Sequence, residues 1–512
     1  MRCLNLKTII KPGNCSGKIL AFLILFASGC ATAQTAVDIR AESLGTASSS
    51  LSTYHVVAGY EDKKRSEHKV KLDYEGALIG IEKALRPNIC APKGFDTDRF
   101  QYPDSSNKAR LANMERITDD PKTMFISHIV TYEKGNASNV LSKIPFLHNA
   151  YRPQTAPCKT DKDPSSPYKQ GWDALNQLEV ELSNKLKSAG DPFTHILIMA
   201  MGWNNDQAES VNRYNKIVKH LEIAAEIQDQ HFKPLVIGLS WPSVWGTSTI
   251  PGWKQLLHLF SYGNKADDAD EVGFTYGNYI VNKIARDLKK QTQAKVVLIG
   301  HSMGARLLTR SIFSSPLLKN DGFTLAQNDH IDYVFGLEGA FSINRFVEGS
   351  GLPFPATLFR SGEGYPYSEY EQLKTKLIMT WSKHDKANPF STILNGSAHI
   401  GGRVGFKRSR LPKKREPFTH LQWSANQDWS LRGHEEKDYQ PKKCENFASQ
   451  SKVFMTDLTR FIDNHNDICD FHVGQFMWEA MKCFSPDSSN IPNGEATRAK
   501  IADWLRTNET CG

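Results

Sequence analysis

A serine between glycines, Gly300-His301-Ser302-Met303-Gly304, follows directly on the aliphatic run Val296-Val297-Leu298-Ile299, and Ala305-Arg306-Leu307-Leu308 then begins a helical pattern. That order predicts strand, tight turn and helix. A residue at the apex of such a turn is held in a strained backbone conformation, and the flanking glycines let strand and helix pass close to it. The Ser302 hydroxyl would thus stand at the edge of a sheet, placed to attack a carbonyl carbon. An ordinary glycine-rich turn is the plainer alternative, and the strand-to-helix setting argues against it.

A neutral serine is a weak nucleophile, so it needs an imidazole to take its proton and a carboxylate to orient that imidazole. Both are expected downstream, the acid after a later strand and the histidine after the last. Lys376-Leu377-Ile378-Met379-Thr380-Trp381 reads as a strand and ends in Ser382-Lys383-His384-Asp385-Lys386, which puts Asp385 just beyond a carboxyl end. Glu338, in Gly336-Leu337-Glu338-Gly339, is the second choice. After the last expected strand, Lys452 to Met455, both His465 and His472 fit, whereas His420 and His434 precede it. His472 is preferred, because it would hang from the junction between a loop and the helical stretch Phe476 to Met481. A Cys469–Cys483 disulfide would pin that junction. A helix start disfavours an imidazolium, which counts for His465 as the alternative.

The oxyanion of an acyl-transfer intermediate requires donors fixed in advance. One expected donor is the backbone N–H of Met303, next to the nucleophile. The other is the N–H of Trp203 in Met201-Gly202-Trp203-Asn204-Asn205, after the apolar run His195 to Met201, with Gly202 permitting close approach.

The elements that must position these groups are legible as an alternation. Strand-length apolar runs at 195–201, 234–240, 295–300, 331–337, 376–381 and 452–455 are separated by helical patterns that include 207–227 and 270–290. An amphipathic stretch with Leu175, Leu178, Leu182 and Leu186 leads into the first run. This predicts an α/β fold, a mainly parallel sheet with helices on both faces, over residues 170–512. Residues 61–169 are expected to be an N-terminal extension of unassigned role, residues 34–60 a tether.

With the motifs in place, the chain resembles an α/β-hydrolase. The likeness rests on Gly300-His301-Ser302-Met303-Gly304, on Gly202-Trp203-Asn204-Asn205, on Ser240-Trp241-Pro242-Ser243, and on Asp385 and His472 in that order. The Gly202-Trp203-Asn204-Asn205 loop together with Ser240-Trp241-Pro242-Ser243 is similar to a bacterial group of uncharacterised α/β-hydrolases with a His-Gly-Phe-Asn-Asn pattern; the histidine before the glycine is Met201 here. The resemblance implies ester or amide hydrolysis without naming a substrate.

Residues 1–33 read as an export signal, with Arg2, Lys7, Lys11 and Lys18 ahead of the apolar segment Ile19 to Ala27. Ala31-Thr32-Ala33 suits a signal peptidase, and Ala27-Ser28-Gly29-Cys30 resembles a lipoprotein box that would acylate Cys30. The expected location is therefore periplasm or cell envelope, lipid-anchored or not, or the exterior. The 63 basic and 55 acidic residues give a net charge of +8; without residues 1–29 four basic side chains are lost and the charge is +4, which is no nucleic-acid signature. Of nine cysteines, six lie beyond Cys30, an even number that favours disulfides in an exported chain.

The aromatic-rich connection between Trp241 and Tyr279 could be a lid or the packing of an inserted helix. The basic run in 401–416 could meet an anionic membrane surface or be a solvated loop. No phosphate loop or metal-ligand cluster accompanies the serine, so neither metal nor other cofactor is expected. The reading is an exported serine hydrolase acting on a small-molecule or lipid ester, carboxylesterase or lipase; a non-catalytic binding or scaffold protein of the envelope is the alternative.

Overall fold

The structure is a computed structural model that describes residues 72–83, 98–101, 124–133, 167–203, 205, 207–243, 265–319, 329–348, 366–387, 398–411, 417–425, 429–432, 439–442 and 453–485. The export signal, Cys30, the tether, residues 244–264 of the aromatic connection and residues 412–416 of the basic run lie outside them.

The described strands are β1 (Gly76–Lys83), β2 (Met124–Tyr132), β3 (His195–Ala200), β4 (Pro234–Ser240), β5 (Lys295–His301), β6 (Tyr333–Leu337), β7 (Lys376–Trp381), β8 (Phe418–Trp423), β9 (Trp429–Arg432), β10 (Gln440–Lys442) and β11 (Val453–Asp457). They form one sheet in the order β10-β9-β8-β11-β7-β6-β5-β3-β4-β1-β2. From β8 to β1 neighbours run parallel, and β2, β9 and β10 are antiparallel additions at the two ends.

The apolar runs are continuous, not alternating, because both faces are covered. Along β3, Ile196, Ile198 and Ala200 enter one core, which also takes Leu175, Leu178 and Leu182 of α1 (Pro167–Ser188). Leu197 and Met199 enter the other, beneath Tyr214, Ile217 and Leu221 of α2 (Gln207–Ile227). The helix after the serine, α3 (Met303–Ile312), lies on the first face. The last described helix, α5 (Phe471–Cys483), packs on the second beside α2; between them in sequence comes the short α4 (Arg403–Ser409). Phe274 and Tyr276, from the aromatic connection, are core residues. Among the described residues no helix is long and apolar enough to cross a membrane.

Two features depart from the expected organisation. The sheet continues into the segment read as an extension: β1 pairs with β4 and β2 with β1, so part of 61–169 is built into the same layer. On α3 itself a buried charge cluster stands amid the apolar packing. Asp270 lies 2.6 Å from Arg306, 2.8 Å from Arg345 and 3.3 Å from Arg310, all fully buried. Against the cost of burial, these guanidinium groups hold the Asp270 carboxyl well below the usual carboxylate range. Removing one partner of so dry a cluster leaves an uncompensated charge, so it ties α3 to the chain around it.

Candidate active site

β3 lies between β4 and β5 in the sheet although the chain runs β3, β4, β5. The connections leave β3 and β5 in opposite directions, which opens a crevice at their carboxyl ends. Gly202 follows β3 there, and Ser302 follows β5.

Ser302 has φ 53° and ψ −116°, the strained corner expected of the turn. The glycines have a steric reason. A methyl group at Gly304 would sit 2.0 Å from the Ala200 carbonyl oxygen, and one at Gly300 would sit 2.6 Å from the Ala305 backbone. The corner is also hydrogen-bonded to the neighbouring chain: Ser302 N–H donates to the Leu337 carbonyl (2.9 Å), and the Ser302 carbonyl accepts from Ala340 N–H (3.0 Å).

The histidine against Ser302 is His465. Its Nε2 is 2.9 Å from Ser302 Oγ, and its Nδ1 is 3.0 Å from Asp385 Oδ2. A carboxylate can only accept, so Nδ1 carries the proton and the Nε2 lone pair faces the serine hydroxyl. Asp385, just past β7 as expected, is buried, and its other oxygen accepts from Ala387 N–H (2.9 Å). The preference for His472 is thereby corrected. Its Nδ1 and backbone N–H both go to Oδ1 of Asp470, at 2.8 and 2.7 Å, and its ring stacks on Phe461. Asp470 caps α5, so His472 is taken up by the helix start. The expected Cys469–Cys483 bridge is not formed either, since Cys469 is a buried thiol outside any disulfide.

The loop between β11 and α5 reaches the serine because four bonds tether it to the ends of β5 and β7. Leu458 N–H donates to the Trp381 carbonyl, the Ser382 hydroxyl to the Ile462 carbonyl (2.7 Å), and Lys383 N–H to Thr459 Oγ1. The fourth involves His301, whose Nε2 is 2.8 Å from the His465 carbonyl. A carbonyl accepts only, so His301 donates. Burial holds its imidazole well below its ordinary value and keeps it neutral. Sequence reasoning passed over His301, the residue before the serine, as filler in the turn.

Ser240-Trp241-Pro242-Ser243 proves to be the support of the Gly202 loop. Trp241 Nε1 donates to the Met201 carbonyl (2.8 Å), and Ser243 Oγ to the Asn205 carbonyl (2.6 Å). Asn205 Nδ2 in turn donates to the carbonyls of Gly202 (3.1 Å) and Trp203 (3.2 Å). In a trans peptide the N–H of Trp203 points opposite to the Gly202 carbonyl, hence away from Asn205. Gly202 packs on the serine so closely that a methyl group there would come within 2.6 Å of Ser302 Cβ. Met303 opens α3, where the first N–H groups have no partner within the helix.

Glu338, the second choice of acid, is fully buried at the end of β6, with φ 49°. Its carboxyl lies beside Asp385, and burial followed by the charge of Asp385 pushes it well above the ordinary glutamate value. Glu338, Asp385 and His465 have ligand-type atoms within 4.8 Å of one another. Both imidazole nitrogens are engaged with Asp385 and Ser302, so a cation there would have to break the His465–Asp385 bond.

Residues 175–419 match the family described as an alpha/beta hydrolase of unknown function (DUF900). Among solved structures, the chain is similar to the catalytic core domain of acetyl xylan esterase from Trichoderma reesei, 12% identical with a TM-score of 0.22 over 36% of this chain and 82% of that one. It is also similar to an extracellular alpha/beta-hydrolase from a Paenibacillus species, 12% identical with a TM-score of 0.19 over 43% and 95%. Likeness of that extent places no substrate on this chain. No curated protein matches it. The α/β-hydrolase resemblance read from the motifs holds, and with it a hydrolase.

Proposed function

Taking the α/β-hydrolase assignment as premise, we propose that the chain is a serine hydrolase that cleaves a carboxylic ester through Ser302, His465 and Asp385. The observation that carries this is the relay itself: Ser302 Oγ to His465 Nε2 at 2.9 Å and His465 Nδ1 to Asp385 Oδ2 at 3.0 Å, with the serine at a positive-φ corner. His465 takes the hydroxyl proton as Oγ bonds to the carbonyl carbon, and the π electrons move onto the carbonyl oxygen. The N–H groups of Met303 and Trp203 donate hydrogen bonds to that oxygen without reorganising. The ester C–O bond then breaks, and the proton on Nε2 passes to the departing alkoxide. Water repeats the sequence on the acyl-enzyme, and Asp385 stabilises the imidazolium at each stage.

A fluorophosphonate probe tests the reading, since it reacts only with an activated serine. Labelling mapped to Ser302, absent in Ser302→Ala and His465→Ala, is the expected result. An unlabelled wild-type protein that is folded and inactive on nitrophenyl esters would overturn it.

The proposal extends to location. Residues 1–33 direct export, and the mature chain begins at Gln34 or at an acylated Cys30. Mass spectrometry of the mature N-terminus decides between the two, and an intact N-terminus in the native host would refute export.

A further inference from the structure

Two carboxyl groups, Glu338 and Asp385, meet behind the imidazole of His465, each offering an oxygen within 4.8 Å of the other and of a ring nitrogen. Ionised carboxylates are acceptors only, so a bond between two of them requires one proton. The other partners of each group decide which one carries it. Asp385 accepts from Ala387 N–H and from His465 Nδ1–H, and both interactions favour its ionised form. Glu338 is fully buried; the Thr380 hydroxyl, 3.4 Å from Oε1, and the Ser382 backbone favour its ionised form, but burial and then the charge of Asp385 outweigh them and hold its carboxyl well above the ordinary glutamate value. Its placement is enforced. The backbone sits at φ 49°, a conformation unfavourable for a non-glycine residue, and Gly401 packs so tightly on it that a methyl group would lie 2.2 Å from the Glu338 carbonyl carbon.

We propose that Glu338 is a positioning residue, a neutral carboxylic acid that donates a hydrogen bond to Asp385 and so fixes the carboxylate in the orientation from which it holds His465. The inference rests on the relay described under the proposed function and assigns the second acid a role in it. Glu338 touches neither the serine nor the reacting atoms; it acts through Asp385. Among the described residues, the titratable groups next to the pair include His465 and, behind it, His301, which burial keeps neutral, with His384 and the buried His399 on the segments that adjoin Asp385 and Glu338. A glutamate ionised at this place would put two negative charges side by side in a dry site. A neutral one supplies a donor that water cannot.

Two measurements independent of turnover test this. The difference infrared spectrum between wild type and Glu338→Gln at neutral pH should contain the carbonyl stretch of a protonated carboxylic acid. In proton NMR, the His465 Nδ1–H resonance should stay in place in Glu338→Gln, whose amide still donates, and should move or vanish in Glu338→Leu, which keeps the volume but has no donor. Absence of the infrared band overturns the proposal. So does a Gln variant that loses the resonance as Leu does, or a Leu variant that leaves it unmoved. If Glu338→Leu fails to fold, the band and the Gln resonance still decide. Absence of serine labelling in the wild type would end the catalytic reading and leave the band to report on the proton by itself.

Discussion

The corner that carries Ser302 and the loop that carries His465 face each other across 2.9 Å but are held by different means. The serine's position comes first from its own turn: five residues, two of them glycines with no room for a methyl group, bend the chain between β5 and α3, and bonds to Leu337 and Ala340 then hold the corner. The histidine's position is borrowed. Its loop reaches the serine through bonds to Trp381, Ser382, Lys383 and His301, residues at least 70 positions away in the chain. A local device leaves a motif in the sequence, whereas a borrowed one leaves scattered residues with no shared spacing.

The difference is sharpest when each partner is deleted. Ser302→Ala and His465→Ala are each expected to lower kcat by about 10⁵-fold, since removing either member of such a relay costs nearly as much as removing all of it. Stopped or long-time assays with a nitrophenyl ester measure this. Comparable damage from His472→Ala with His465→Ala near wild type would reverse the assignment. Asp385→Asn should cost less, about 10³- to 10⁴-fold, because the serine and imidazole stay in place while the amide favours the wrong tautomer of His465. A loss below tenfold would point to Glu338 as the operative acid.

The same contrast explains what the sequence made legible. The six runs assigned to the sheet from residue 195 onward are strands, and 207–227 is a helix to the residue, because burial on both faces leaves uninterrupted apolar segments. β1 and β2 were missed although each is mainly apolar: they lie on the outer side of β4, as short runs within a stretch that is polar as a whole and lacks the strand–helix alternation that marks the rest of the sheet. β8, β9 and β10 were missed as well; they alternate or are only three to six residues long. Ser302 and Asp385 could be placed from the strand each one follows. His472 was preferred over His465 on its position before a helix, and that position is the reason it is not against the serine, since Asp470 and α5 engage it first. Ser240-Trp241-Pro242-Ser243 was visible as a motif, but its purpose, holding the carbonyls of Met201 and Asn205, is a relation between segments that only the folded chain displays.

Smaller perturbations sharpen the comparison from each side. Gly202→Ala pushes a methyl group against Ser302 Cβ and displaces the Trp203 N–H, so kcat should fall by about 10²- to 10³-fold with fluorophosphonate labelling slowed in parallel. An unchanged rate would remove Trp203 from the oxyanion site. His472→Ala, on the histidine's side, loses a bond to Asp470 and ring contacts with Phe461 and Phe471. The expected cost is under about threefold in kcat and about 1 kcal/mol or less in denaturant unfolding.

The smallest effect is thermodynamic and belongs wholly to the borrowed side. Burial and Asp385 hold the Glu338 carboxyl well above its ordinary value in the folded chain, while in the unfolded chain it releases its proton near pH 4.3. Below that pH both states are protonated and the group favours neither. Above it the unfolded state binds fewer protons than the native state, so stability is lost as pH rises toward the folded value. Glutamine does not titrate and keeps the donor to Asp385, so Glu338→Gln escapes this loss. The melting temperature of the variant relative to wild type should therefore climb, by roughly 2 °C or more, between pH 4.5 and 7. A gap that stays flat with pH would mean that Glu338 ionises equally in both states. The proton between the two carboxyls would then be absent, and His465 would be held by Asp385 without help.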